Sequence, residues 1–378
     1  MSVMAFRWSR RTFKSWPTSV RYTSLKITPR PYCQHGLRSF YTMPAEWEVH
    51  SQTITVWPDF ASIPDEKTLQ AARLEVSAIA NAIAQFEPVT MYTQHRNVNM
   101  AQGTVSQDVK VIGLEASQLW VRDTGPVFVK DVRNGQAMAL GMNFNYWGGK
   151  FPREGDETAA DKIASAMSTP VFTAPFQAEG GGIEVDGEGT LLATESSIIN
   201  SNRNPGLSKQ QLEDHFSLAL GVKKTVWVPG IRDYDITDYH IDALARFLRP
   251  GTVLLGKPPA NSEAEVISAY EEARRILSQE TDSQGRPFQI EEILEPDLSK
   301  VPGEHFGEAG ETIASYVNYL VVNGGLIVPR FGVGDADDEA LQRFRECFPS
   351  RRVVQVDINT LPKLGGGIHC ATQQVPAM

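Results

Sequence analysis

The feature that most constrains the fold is an alternation of short β-rich runs with helical segments, which recurs about five times. Apolar residues spaced three or four apart, N-cap residues and terminating glycines predict five helices, at 66–86, 156–168, 208–220, 262–279 and 336–348. Short runs bounded mostly by Gly, Pro, Asn or Asp predict strands near 89–93, 109–114, 127–129, 137–144, 191–194, 225–228, 253–256, 316–322, 326–329 and 353–356. No long linker follows residue 44, which favours one domain over 43–378.

A weak internal repeat accompanies these modules. The sequence GGGI at 180–183 recurs at 365–368, and NGGL at 323–326 is a looser copy. Self-similarity at the period of a module favours a radial α/β repeat around a central cavity over an open doubly wound sheet. Because loops from several modules meet at one end of such a ring, residues far apart in the sequence can share one site.

The N-terminus differs in charge from the rest of the chain. Residues 1–44 contain eight Lys and Arg residues and no acid, which leaves 28 basic against 45 acidic residues in the remainder. A leader over 1–42, rich in Arg and Ser, is typical of an organelle-targeting presequence. The alternative is an upstream start codon, with Met43 as the true start. We therefore expect a cytoplasmic protein, or a mitochondrial one if the leader is a presequence.

The body of the chain excludes several classes of protein. Its acidity argues against nucleic-acid binding and suits a small cationic ligand. It has no stretch of 18 uncharged apolar residues, so no membrane span is expected. The three cysteines, at 33, 347 and 370, are too few for a disulfide framework or a cysteine-rich zinc site, which favours a reducing compartment. The sequence leaves a homo-oligomer open.

Cys370 is the candidate nucleophile. It follows three glycines, Ile368 and His369, and glycines allow the backbone to approach a ligand closely. The alternative is a small buried apolar side chain, which is the interpretation we keep for Cys347. If the segment is extended, His369 points away from the Cys370 cavity, so we expect a structural histidine.

His240 is the candidate proton donor and acceptor, because four acids lie close to it in the segment 233–242. On a strand, His240 and Asp242 would project from the same face, and the carboxylate would raise the pKa of the imidazole. Two alternatives stay open at this stage: a solvated acidic loop, and a divalent-cation site.

Asp123 is the candidate guanidinium ligand. Residues 120–126 (WVRDTGP) could set Trp120 and Asp123 at a strand end, with the Trp face adding a cation–π contact. Together with Asp242, Asp123 could hold a planar guanidinium by paired hydrogen bonds. We expect Asp123→Asn to weaken substrate binding and to raise the pKa of Cys370. The alternative is an ordinary surface turn, with Asp123 capping backbone amides.

These segments together resemble the family of agmatine deiminases and bacterial-type peptidylarginine deiminases. The resemblance covers 43–378 in order, through MPAEWEVH (43–50), VWP (56–58), WVRDTGP (120–126), FNYWGGK (144–150), EGGG (179–182), NRNP (202–205), HID (240–242), YVNY (316–319), NGG (323–325) and GGGIHCATQQ (365–374). It implies a five-bladed, pseudo-symmetric α/β-propeller, the pentein fold, and no cofactor or metal.

The resemblance also implies roles for individual residues. Cys370 would be the nucleophile, His240 the general acid and base, and Asp123 and Asp242 the guanidinium ligands, with Trp120 at the entrance and Glu179 supporting the site. Two positions depart from the family pattern: Tyr239 replaces a Gly and could narrow the entrance, and Ile236 replaces an acid that meets the distal amine of the substrate. Asp235 or Asp238 could substitute for that acid.

The expected reaction is hydrolysis of agmatine to N-carbamoylputrescine and ammonia, a step of polyamine biosynthesis, through a covalent thiouronium on Cys370. An arginine or peptidylarginine deiminase is the nearest alternative, and it would need a cation such as Arg232 or Arg246 facing the substrate carboxylate. An amidinotransferase is the second alternative, and a ligand-binding propeller without catalysis is the third.

Overall fold

A computed structural model of the chain describes residues 39–300 and 312–377. In these two ranges there are seventeen strands: β1 (Tyr41–Thr42), β2 (His50–Val56), β3 (Val89–Thr93), β4 (Val109–Gly113), β5 (Val127–Asp131), β6 (Ala137–Gly141), β7 (Val171–Thr173), β8 (Ile183–Val185), β9 (Thr190–Thr194), β10 (Lys224–Val228), β11 (Ala245–Arg249), β12 (Thr252–Lys257), β13 (Gln289–Leu294), β14 (Leu320–Val322), β15 (Gly325–Arg330), β16 (Arg352–Asp357) and β17 (Thr372–Pro376).

The same ranges contain nine α-helical segments: α1 (Glu66–Ile83), α2 (Val98–Gln102), α3 (Val121–Thr124), α4 (Tyr146–Gly149), α5 (Ala159–Ala166), α6 (Glu195–Ile198), α7 (Lys209–Leu220), α8 (Ala264–Gln279) and α9 (Asp335–Cys347). The five predicted helices correspond to α1, α5, α7, α8 and α9, while the four segments of four or five residues were not predicted. Ser208 caps α7 by accepting from the amide of Gln211, and Gly221 ends it with a φ of 74°.

The strands form five small sheets, and four of them repeat one unit. In the units β5-β6-α5-β7, β8-β9-α7-β10, β11-β12-α8-β13 and β14-β15-α9-β16, an antiparallel pair is followed by a helix and a third strand parallel to the second. The helix supplies the crossover that a parallel connection needs. The predicted architecture of repeated short-strand-plus-helix modules is confirmed.

The two ends of the chain complete the fifth sheet. β17, from the C-terminus, is antiparallel to β2, and β2, α1 and β3 then supply the rest of the unit, with β4 added at its edge. A module assembled from both termini is what a closed ring of modules requires, since the last module must pair with the first.

Each long helix buries one face in a hydrophobic cluster. In α1 the buried side chains include Leu69, Val76, Ile79 and Ile83, as the apolar spacing predicts, whereas Phe86 lies beyond the end of the helix. Two strand predictions are too long, and the sequence did not predict seven of the strands (β1, β2, β7, β8, β11, β13 and β17). Of residues 137–144, only Ala137–Gly141 form a strand. Of residues 316–322, only Leu320–Val322 form a strand, because the amide of Tyr316 is used by the side chain of Glu295 instead of a ladder.

Of the predicted leader over 1–42, residues 1–38 lie outside the described ranges, whereas residues 41 and 42 form β1, which pairs with Lys130 and Asp131 of β5 in the β1-β5-β6-β7 sheet. Within the described ranges, no helix combines the length and the apolar character that crossing a bilayer demands.

Candidate active site

Cys370 lies in a turn just before β17 and is 8% exposed. The segment is not extended, so the geometric premise for His369 is wrong. Asn318 fixes this turn: its Nδ2 donates to Cys370 Sγ at 3.2 Å, and its Oδ1 accepts from the backbone amides of His369 and Cys370 at 3.0 and 3.3 Å. A Cβ on Gly367 would lie 2.6 Å from Asn318 Oδ1, so only glycine fits at 367.

Asp123 lies in the single helical turn α3 rather than at the predicted strand end. Its Oδ2 accepts from Trp147 Nε1 at 2.9 Å, and its Oδ1 accepts from the backbone amide of Gly181 at 3.1 Å. Burial raises the pKa of Asp123, and the neighbouring carboxylates of Asp242 and Glu179 act in the same direction. This is a buried carboxylate held by two donors and placed near other acids.

His240 precedes a 3₁₀ turn, Ile241–Ala243, and Asp242 lies within that turn, so neither lies on the predicted strand. His240 Nε2 lies 3.2 Å from Glu179 Oε2, and Nδ1 lies 3.8 Å from Asp123 Oδ1. Burial alone would lower the pKa of His240, but Asp123, Glu179 and Asp242 together raise it to about 9. The imidazole is therefore protonated at neutral pH.

The Asp242 carboxylate contacts both the imidazole of His369 and the thiol of Cys370. Its Oδ2 lies 2.7 Å from His369 Nδ1 and 3.6 Å from Cys370 Sγ. Its Oδ1, like Nδ1 of His240, is buried without a hydrogen-bond partner among the described residues. Buried polar atoms normally find partners, so two unpaired atoms here mark a position where a polar ligand would bind.

Because Gly181 has no side chain, the space beside these unpaired atoms stays open. A Cβ at residue 181 would lie 2.6 Å from His240 Nδ1, 2.9 Å from Asp242 Oδ2 and 3.1 Å from Asp123 Oδ1. His240 and Asp242, from one turn, and Asp123, from α3, therefore converge on one small volume beside Gly181. Burial, Asp242 and Asp123 raise the pKa of the Cys370 thiol well above its ordinary value.

Trp120 and Cys370 both lie close to Gly366. A Cβ on Gly366 would be 2.7 Å from the Trp120 ring and 3.0 Å from Cys370 Cβ. Ile236 lies against the neighbouring Gly365. The Tyr239 ring packs against a hydrophobic cluster that includes residues of the β11-β12-β13 sheet and, edge to face, on Tyr234, and it lines a cavity together with His240. Its φ of 73° explains why a glycine would suit that position.

Two predicted acids do not join the cluster. The Asp238 carboxylate contacts Lys150 Nζ at 2.8 Å, Arg203 Nη1 at 2.8 Å and Asn202 Nδ2 at 3.2 Å, and it is fully buried. Asp235 accepts from the backbone amides of residues 237 and 239. These contacts hold the loop before His240, so the predicted role of Asp238 in substrate binding has no geometric support.

The structure adds residues that the sequence did not single out. Asn318 donates to the thiol of Cys370, and Trp147 donates to the carboxylate of Asp123. Arg203 donates to Glu179 Oε1 at 2.7 Å, and Glu179 in turn contacts His240. All three lie inside segments that carry the family resemblance, and that resemblance was the sequence signal that could have identified them. Within the described ranges, no group of three or more His, Cys, Asp or Glu side chains is arranged to hold a metal ion.

The chain is similar to a known family along most of its length. A family model described as Porphyromonas-type peptidyl-arginine deiminase matches residues 42–376. The agmatine deiminase of Pseudomonas fluorescens is 36% identical over 379 residues, covering 94% of this chain and 99% of that protein. The agmatine deiminase of Medicago truncatula is 34% identical over 366 residues, covering 89% of this chain and 97% of that protein.

The fold is shared as well. A solved structure of the agmatine deiminase of Enterococcus faecalis matches with a TM-score of 0.81 and 29% identity, covering 89% of this chain and 96% of that one. The match of the family model and the near-complete coverage of these relatives confirm the predicted resemblance. The chain belongs to the Porphyromonas-type peptidyl-arginine deiminase family.

Proposed function

We propose that this protein hydrolyses agmatine to N-carbamoylputrescine and ammonia through a covalent intermediate on Cys370. The observation that carries the proposal is the convergence of an imidazole and two carboxylates beside Gly181, with the Cys370 thiol 3.6 Å from one of these carboxylates. The similarity to agmatine deiminases along nearly the whole chain supports the substrate. The product is a precursor of putrescine, which places the reaction in polyamine biosynthesis.

Asp123 and Asp242 bind the guanidinium. A planar guanidinium offers paired N–H donors, and a carboxylate accepts two of them. The unpaired Oδ1 of Asp242 supports this role, since it lacks a donor in the buried site. The bound cation also offsets the two negative charges that raise the pKa of Cys370. Substrate binding thus favours loss of the thiol proton to solvent and formation of the thiolate.

The first half of the reaction forms the covalent intermediate. The Cys370 thiolate adds to the guanidinium carbon, which gives a neutral tetrahedral adduct. The protonated His240 donates its Nδ1 proton to one amino group, the C–N bond breaks, and ammonia leaves. A cationic thiouronium remains on the sulfur, and His240 is neutral. The raised pKa of His240 suits a group that must enter this step protonated.

The second half releases the product. The neutral His240 takes a proton from water, and the hydroxide adds to the thiouronium carbon. The C–S bond of this second adduct breaks, the thiolate is restored, and a ureido group is left after loss of one proton. That proton converts the released ammonia to ammonium, so the charge of the substrate cation is conserved. Glu179 holds His240 through Nε2 in both halves.

The two arginines named as partners for a substrate carboxylate are engaged elsewhere. Arg246 is 1% exposed and bonds to Glu184, to Glu46 and to the carbonyl of Tyr319. Arg232 donates to the carbonyl of Ile199 at the surface. These contacts favour agmatine, which has no carboxylate, over free arginine.

A substrate panel tests the proposal. Ammonia release is measured from agmatine, free arginine and a peptide with an internal arginine, and the ureido product is identified by mass spectrometry. We expect agmatine to have the highest kcat/KM. A higher kcat/KM for arginine or the peptide would refute the substrate assignment. Formation of a new guanidino compound when an acceptor amine is added would instead show an amidinotransferase.

A further inference from the structure

A cluster of buried charges lies directly behind the Asp242 carboxylate. It consists of Glu46, Arg122, Glu184, Arg246 and His369, each 6% exposed or less. Arg246 bridges Glu184 and Glu46 at 2.8 and 2.7 Å, and Arg122 lies 3.7 Å from Glu46. Burying charges is costly unless each is paired, so a cluster of this size beside a reacting group calls for a functional explanation.

His369 links this cluster to the site. Its Nδ1 lies 2.7 Å from Asp242 Oδ2, and its Nε2 lies 2.8 Å from Glu46 Oε2. The ring is 1% exposed, and its backbone amide is held by Asn318. Both nitrogens therefore face carboxylates at hydrogen-bond distance, and the ring cannot rotate without losing both contacts.

Glu46 acts as an acceptor in each of these contacts. Its Oε1 accepts from the backbone amide of Val321 at 2.8 Å, and its Oε2 accepts from Arg246 as well as from His369. An ionised Glu46 requires a proton on Nε2 of His369, and an ionised Asp242 requires one on Nδ1. Burial, together with Arg122 and Arg246, lowers the pKa of His369, so the doubly protonated ring depends on both carboxylates remaining ionised.

We propose that His369 is a positioning residue for Asp242, and that Glu46 fixes the ring for this purpose. The Nδ1–H of His369 donates to Oδ2 of Asp242. This contact orients the carboxylate so that its unpaired Oδ1 faces the guanidinium. This inference deepens the proposed function and rests on it. His369 does not touch the substrate. It acts by holding an acid whose displacement by about 1 Å would cost on the order of 100-fold in rate.

Two substitutions separate positioning from simple filling of space. In His369→Asn the amide nitrogen can take the place of Nδ1, which keeps a donor for Asp242 and loses the contact with Glu46. In His369→Gln the amide nitrogen can take the place of Nε2, which keeps a donor for Glu46 and loses the contact with Asp242. Both remove the imidazole, so a purely structural role predicts similar effects. His215→Gln, on α7 and outside the site, is the matched control.

The test uses alkylation of Cys370 by two reagents of similar size, 2-chloroacetamidine, which is cationic, and 2-chloroacetamide, which is neutral. In each case the thiolate displaces chloride and a C–S bond forms, and intact-mass spectrometry measures the rate. The ratio of the 2-chloroacetamidine rate to the 2-chloroacetamide rate reports how well Asp123 and Asp242 hold a cation, independently of any substrate. Thermal unfolding of each variant shows that it is folded.

We expect His369→Gln to lower the ratio by about 10-fold or more, and His369→Asn to lower it several-fold less. The control should keep the wild-type ratio. Equal ratios for the two His369 variants, or a larger loss for His369→Asn, would overturn the inference. Failure of the wild-type protein to deiminate agmatine, with the ratios as expected, would refute the proposed function alone.

Discussion

The Cys370 thiol lies 3.6 Å from the Asp242 carboxylate and donates toward it. An anion at this distance opposes the formation of a second anion, and burial of the sulfur acts in the same direction. The nucleophile is therefore held protonated until a cation enters. The Asp242 carboxylate disfavours the thiolate before substrate binds, and it is also the group proposed to bind the guanidinium. Substrate binding is thereby coupled to ionisation of Cys370.

Cys370→Ser should abolish turnover, because a serine hydroxyl at this position is far less acidic and less nucleophilic than a thiol. We expect kcat to fall by more than about 1,000-fold, while the thermal unfolding temperature changes little. Ammonia release from agmatine and a melting curve check the two parts. Cys347→Ser, on α9, is the matched control and should keep wild-type kcat. Retained activity in Cys370→Ser would exclude the covalent mechanism.

Asp123→Asn should weaken agmatine binding by roughly 10- to 100-fold, the effect of losing a hydrogen bond to a charged group. It should also lower the pKa of Cys370 in the substrate-free protein, because the charge of Asp123 raises that pKa. This sign is opposite to the one predicted from the sequence, which considered only the bound cation. The pH dependence of Cys370 alkylation by neutral iodoacetamide measures the pKa, and an unchanged pKa and KM would contradict the role.

Glu179→Gln should lower the pKa of His240, since the Glu179 charge and hydrogen bond help to raise it to about 9. The alkaline limb of the kcat profile should move down by about one pH unit. In the wild-type protein, pairing of His240 contributes stability that is full below about pH 6.5 and is lost as the pH rises through 9. Glu280→Gln, at a surface pair with Lys224, is the control; an unmoved limb in Glu179→Gln would argue against His240 as the acid.

Gly181→Ala should inactivate the protein although it adds a single methyl group. That methyl group would lie 2.6 Å from His240 Nδ1 and would occupy the volume on which the proposed guanidinium ligands, Asp123 and Asp242, converge. We expect kcat/KM to fall by at least about 100-fold. Gly103→Ala, where a Cβ would lie no closer than 3.4 Å to other atoms, should have little effect. Activity measured on both variants decides whether the open volume at residue 181 is required.

Several parts of this protein follow from its sequence because they depend on neighbours along the chain. The five long helices are readable from apolar spacing, and α7 also from its cap at Ser208 and its stop at Gly221. The glycine-rich segment before Cys370 and the acids around His240 mark the chemistry in the same local way. The resemblance of these segments to one family then gave the roles assigned to Cys370, His240, Asp123 and Asp242.

Tertiary structure decided what depends on distant partners. Four of the seven unpredicted strands, β2, β8, β11 and β17, carry polar residues that are buried only because a remote group pairs with them: Thr53 with Glu87, Glu184 with Arg246, and Gln374 with Arg122. Local patterns cannot reveal such partners, so the sequence does not predict these strands. For the same reason His369 was expected to face away from the site, whereas Glu46, 323 residues earlier in the sequence, fixes it against Asp242.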